Sequence, residues 1–195
     1  MDRKKGILYA FALLAFAQLF VPAKMIFDKE LIIDSGTTFK FKVRPIDPSD
    51  PFRGKYITLN YADQSIDVPK EPEFFRKETV YILYAADSLG YAKAQYVSKE
   101  KPTKSADYLK TKVTHVTLYK DKQVINIDFP FNRFYMEESK AGEAERIYWQ
   151  SLWQTRGSEN PPTYAVLSIK NGKGVLKDVM IHGTSARDVV KKRDN

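Results

Sequence analysis

Three hydropathy regimes divide this chain. Residues 6–21 run without a single charge, the pattern of a segment apolar all round, unlike a surface helix or a half-buried strand. From residue 38 the period becomes two. Thr38-Phe39-Lys40-Phe41-Lys42-Val43 alternates polar with apolar side chains and predicts a strand with one wet, basic face. Residues 56–61 repeat the alternation, with Tyr56, Thr58 and Asn60 on one face and Ile57, Leu59 and Tyr61 on the other. Residues 65–68 predict a short strand before a proline-containing turn. Residues 79–85 and 91–97 flank Asp87-Ser88-Leu89-Gly90 and predict a hairpin, and residues 113–119 and 124–129 predict a second. A third is predicted by residues 163–169 and 175–182, which flank the strong turn signal Asn171-Gly172. One stretch has helical spacing: over residues 136–153, Ala141, Ala144, Ile147, Tyr148, Ser151 and Leu152 recur at three and four residues. Residues 99–109 read as a polar loop with one helical turn.

These elements predict a mainly β fold, an antiparallel β-sandwich or partly open barrel, with one packed amphipathic helix and an N-terminal transmembrane helix. The domain organisation is a basic start and apolar segment over 1–26, a polar juxtamembrane connector over 27–36, an exported β-rich domain over 37–183 and a loose basic tail over 184–195.

The apolar segment sets the expected compartment. Arg3-Lys4-Lys5 precede it, and two readings fit. One is a signal peptide cut near Val21-Pro22-Ala23, which releases a secreted periplasmic protein. The other is a retained anchor in the inner (cytoplasmic) membrane, extended through Met25 and Ile26 with Lys24 reaching the interface. In both, the positive-inside rule keeps residues 1–5 in the cytoplasm and places the rest outside.

Composition narrows the classes. With 43% hydrophobic and 29% charged residues, the chain has enough apolar surface for a packed core. Its 12 Tyr and 12 Phe favour strands. The formal net charge of +8 admits nucleic acid or an anionic membrane surface as a partner. The Lys and Arg are dispersed, not gathered on a helix or interleaved with aromatics, so the expectation is the membrane surface and no nucleic acid. The absence of Cys removes disulfides, thiolate nucleophiles and Cys-zinc sites.

The richest segment is Arg44 through Tyr61. Three prolines stiffen it, Asp47 and Asp50 stand where Asx turns form, and Gly54 opens into the alternating strand. Gly54-Lys55-Tyr56-Ile57-Thr58-Leu59-Asn60-Tyr61 resembles the signature of the GDYXXLXY family, membrane-anchored bacterial proteins of uncharacterised function. It keeps the Gly, both Tyr and the Leu, and Lys55 stands where the family has Asp. The lead-in Asp47-Pro48-Ser49-Asp50-Pro51-Phe52-Arg53 is similar to the family's. So is Arg133-Phe134-Tyr135-Met136-Glu137-Glu138, with Asn132 at a position where Glu is usual. The resemblance spans the apolar segment to about residue 182. It implies a retained anchor and a multi-span inner-membrane protein as partner.

Candidate chemistry is sparse. Asp47 and Asp50 could serve acid–base work or calcium, but a lone pair in a Pro-rich turn lacks the differing environments or the oxygen count these need. Pairing with Arg44 or Arg53 as a loop lock suits them better. Arg53 and Arg133 with the neighbouring tyrosines could line a pocket for an anionic or carbohydrate ligand. His115 and His182 are the only histidines and lack a helical His-x-x-x-His spacing, so no metal or other cofactor is expected. Arg53-Gly54-Lys55-Tyr56 also resembles a strand of type I signal peptidases. The Ser-Met-x-Pro nucleophile segment of those enzymes has no counterpart between residues 27 and 53, and that activity is rejected.

The expected function is therefore a non-catalytic envelope component that binds a membrane-protein partner. Its candidate face comprises Asp47, Asp50, Arg53, Gly54, Tyr56, Leu59 and Tyr61, joined by Arg133, Tyr135 and Glu138. A small-ligand or glycan-binding module is the alternative, and a carboxylate-dependent hydrolase the third reading.

Overall fold

The computed structural model describes residues 3–44, 56–103, 105, 107–154 and 162–190. The apolar segment forms α1 (Arg3–Ser35), a 33-residue helix. At 1.5 Å per residue it is roughly 50 Å long, and it is long and apolar enough to cross a membrane. Its apolar side chains lie on every side, and Leu8, Phe11, Leu14, Leu19 and Phe20 are all exposed. Pro22 lies inside it, an interruption that apolar membrane helices tolerate. The predicted connector over 27–36 is mostly the last turns of this helix. There Ile32 is buried against the domain, while Leu31 stays exposed.

The domain is antiparallel, as the alternation predicted. β1 (Thr37–Lys42) pairs with β9 (Thr163–Lys170), which pairs with β10 (Lys173–Ile181), which pairs with β11 (Thr184–Ser185). A second sheet has the order β3-β7-β6-β4-β5, from β3 (Ser65–Pro69), β4 (Thr79–Ala86), β5 (Ala92–Ser98), β6 (Tyr108–Leu118) and β7 (Lys122–Ile127). Isolated bridges Lys40↔Tyr91 and Leu109↔Gly172 stitch the two sheets together, and the result is a nearly closed, barrel-like sheet. A two-stranded ribbon, β2 (Tyr56–Thr58) with β8 (Arg133–Tyr135), completes the strands among the described residues. α2 (Glu138–Gln154) closes one side. It buries Ala141, Ala144, Tyr148, Ser151 and Leu152, five of the six positions read from the spacing.

All three predicted hairpins form: β4–β5, β6–β7 and β9–β10. The inward residues of both sheets make one core. Phe41 is fully buried, with the rings of Tyr84, Phe129 and Tyr61 at 5.1, 5.4 and 6.2 Å, edge-on or tilted as aromatic quadrupoles prefer. Gln123 is a fully buried polar group in this setting. Its Nε2 lies 2.8–2.9 Å from the carbonyls of Pro69, Lys70 and Pro72, and its Oε1 accepts from Phe74 N at 3.1 Å. One amide side chain thereby satisfies backbone groups from the end of β3 through the turn that follows it.

Two expectations need correction. The tail is not loose over 184–190: β11 pairs with Met180 and Ile181, and Ala186 is fully buried with its N–H on Val179 O at 2.8 Å. Ala186, Val189 and Val190 give residues 184–190 enough apolar surface to cover the core. The stretch before β6 holds no helical turn among its described residues, and β6 starts at Tyr108, where Tyr108 and Leu109 are both buried.

Candidate functional site

The two blocks singled out in the sequence are neighbours in space. β2 and β8 pair antiparallel with Tyr56 opposite Tyr135, Ile57 opposite Phe134 and Thr58 opposite Arg133. The pleat then sorts them. Ile57 and Phe134 point into the core, at 0% and 2% exposure. Tyr56, Tyr135 and Arg133 share the outer face. The Tyr56 and Tyr135 rings meet at 5.4 Å with an interplanar angle of 61°. The Arg133 guanidinium sits diagonally across the ladder, 5.0 Å from the Tyr56 ring centre. A hydrogen bond to Tyr135, helped by the nearby Tyr56, raises the Arg133 pKa further and keeps it charged. The outcome is an outward surface of two mutually tilted tyrosine rings and one cation, with Tyr135 61% exposed.

Beside it, Met136, Glu137, Lys140, Arg187 and Asp188 line a cleft of about 340 Å³. Arg187 lies over the back of the ribbon, 5.1 Å from the Phe134 ring, and Lys140 pairs with Glu137. Glu138 is exposed in the first turn of α2, where the helix dipole favours a negative charge.

Leu59 and Tyr61 do not belong to this face. Each is 2% exposed, because the period-two alternation continues past β2 and turns both inward. The Tyr61 hydroxyl donates to Phe131 O at 2.7 Å, its ring packs 4.5 Å from Phe129, and Val43 bridges it to β1. They are core residues, out of a partner's reach. Asp47, Asp50, Arg53 and Gly54 lie outside the described residues.

One charged cluster carried no sequence signal. Asp63, in the short turn Ala62–Gln64, is half-buried, and burial pushes its carboxyl up to about 6. Lys42 and Arg44 pull it back and Asp87 adds repulsion. Beneath it lies Tyr84, whose buried hydroxyl has no partner among the described residues and whose pKa is raised by that burial and by Asp63. Nothing in Tyr61-Ala62-Asp63-Gln64 announces this, because the groups meet only when β1, β4 and the turn pack together.

The ribbon platform recognises through stacking faces, a planar cation and hydroxyls. No curated protein and no solved structure matches this chain. Residues 18–179, which include α1's second half, both ribbon strands and α2, match the family described as GDYXXLXY protein. With most of its length covered by that match, the chain belongs to the GDYXXLXY family.

Proposed function

We propose that this protein is a single-pass component of the inner membrane whose domain, outside the cytoplasm, holds a membrane-protein partner through the β2–β8 ribbon and is not itself a catalyst. The observation that carries this reading is the pairing of Tyr56 with Tyr135 and Arg133. Two segments about 77 residues apart form one outward aromatic–guanidinium surface, the residue types that dominate binding energy at protein interfaces. A retained anchor is favoured over a cleaved leader because α1 continues beyond Ala23 and docks its last turns on the domain.

A photo-crosslinking amino acid at Tyr56 or Tyr135, expressed in cells, should capture a discrete membrane protein. The same group at Tyr96, exposed on β5, should not. Equal capture from all three positions would overturn the assignment of the ribbon. Sidedness has a simple readout, since the chain has no Cys. A single cysteine at Lys120 should react with an impermeant maleimide from outside the cytoplasmic membrane. Labelling only after lysis would place the domain on the other side. The platform also suits the flat face of a sugar ring, and saturable glycan binding lost in Tyr135→Ala would favour the ligand-module reading.

A further inference from the structure

A second cleft, also of about 340 Å³, opens where α1 meets the domain. Its apolar wall is Met25 and Ile32 from α1, Leu109 from β6, and Phe131 and Val175. Its polar lining is Lys29, Lys110, Lys173 and one carboxylate, Asp28. The walls are held rigidly. Lys110 N donates to Gly172 O at 3.0 Å and Gly172 N donates to Tyr108 O at 2.9 Å, which clamps the β9–β10 turn to β6. Phe131 lies directly on the backbone of Gly174, where a Cβ would come within 2.6 Å of its ring.

The helix sets the depth of this cleft. Gly6 to Phe27 rises about 33 Å at 1.5 Å per residue, matching a hydrocarbon core of about 30 Å. Met25 then falls at the edge of the acyl layer, and Asp28 and Lys29 at headgroup level. The Met25 end of the apolar wall therefore faces acyl chains while Lys29 stands level with phosphates. Asp28 is already held by Lys24 at 3.0 Å, with Lys173 at 3.8 Å. Four lysines against one aspartate leave the mouth positive.

We propose that this cleft binds one anionic phospholipid, with its phosphate on Lys29, Lys110 and Lys173 and an acyl chain along Met25, Phe131 and Val175. The cavity is within the size range of small-molecule sites, about 300–1,000 Å³. Charge selects an acidic headgroup over a zwitterionic one. The proposal rests on the reading of α1 as a membrane span.

The test reconstitutes the full chain in vesicles of phosphatidylcholine and phosphatidylglycerol. Each lipid in turn carries a photoreactive group at the start of an acyl chain, and labelled residues are mapped. The phosphatidylglycerol probe should label Met25 and Phe131 at least about fivefold more than the phosphatidylcholine probe, since three lysines each favour an anionic lipid. Lys29→Glu, Lys110→Glu and Lys173→Glu together should abolish that preference. Val175→Trp, which leaves the lysines intact, should reduce labelling by filling the cleft. Equal labelling by both probes, or a preference that survives both variants, would overturn the proposal. Carbonate extraction of the same vesicles separates the two readings. A chain that stays in the membrane yet labels without preference loses the lipid site alone. A chain that is extracted loses the span, and the lipid site with it.

Discussion

The foot of the domain, where α1 joins β9 and β10, and the β2–β8 ribbon both bring cations against backbone or aromatic groups, yet they use them in opposite ways. At the foot, apart from the lysines of the cleft beside it, the polar groups of the helix end are satisfied internally. Ser168 Oγ donates to Ile32 O at 2.6 Å, Gly36 N donates to the same carbonyl at 2.9 Å, Lys170 Nζ donates to Ser35 Oγ at 2.7 Å and Lys177 Nζ to Ile33 O at 3.3 Å. Ile32 O and Ile33 O belong to the last turn of α1, whose carbonyls need partners from outside the helix, and Ser35 is its last residue. Flexible ammonium stems reach them as point charges. At the ribbon, a planar guanidinium stacks on a tyrosine, and the outer surface of the assembly faces outward. The contrast separates a joint from a display. Polar groups paired with one another hold a joint in position, and polar–aromatic groups left facing outward remain available for binding.

The largest stability difference is expected between the two faces of the ribbon. Phe134→Ala should destabilise the domain by about 3–5 kcal/mol, since it empties a core position. Its neighbour Tyr135→Ala should cost less than about 1 kcal/mol. Denaturant unfolding of the two variants measures both, and a similar cost for each would mean that the outer face is structural.

Next in size is the joint. A Cβ at Gly36 would lie 2.5 Å from both Ile32 O and Ser168 Oγ. Gly36→Ala should therefore cost about 1–3 kcal/mol through overpacking against backbone. That should lower Tm by roughly 2–4 °C per kcal/mol. An unchanged Tm would show that α1 is not seated as described.

Asp63 tests a third region, where burial acts on a carboxyl that Lys42 and Arg44 only partly offset. Its folded pKa of about 6 lies above the ordinary 3.8, so the folded state holds its proton more tightly. The resulting stabilisation is fully present below about pH 4 and is lost as pH rises through about 6. Asp63→Asn should thus raise stability at about pH 7.5 by about 1–3 kcal/mol and change little near pH 4. A pH-independent effect would point to a lost hydrogen bond instead.

The smallest expected stability effect belongs to Arg133. Arg133→Lys should leave unfolding within about 0.5 kcal/mol, as surface substitutions do. It should still weaken crosslinking from Tyr56, because an ammonium cannot stack as a guanidinium does. Retained crosslinking would reduce Arg133 to a neighbour of the site.

Much of this arrangement is legible in the residues before any folding is considered. The hairpins follow from alternating strands joined by turns at Gly90, at Lys120-Asp121 and at Asn171-Gly172, α2 from Ala141, Ala144, Tyr148 and Leu152 at helical spacing, and α1 from an uncharged run. The inward turn of Tyr61 also follows from the alternation with Ile57 and Leu59. Its chemistry nevertheless favoured a place on the binding face, because tyrosine suits core and surface alike.

Local pattern, governed by period, turn chemistry and charge-free length, thus dictates which segments are strands, which are helices and where each bends. Partnership between segments distant in sequence is another matter: Tyr56 beside Tyr135, Gln123 capping the turn at residues 69–74, Asp63 enclosed near Tyr84, and the lysines gathered at the foot of α1. No periodicity encodes those meetings. They are consequences of burying one shared core, which selects among many pairings only when the whole chain closes on itself.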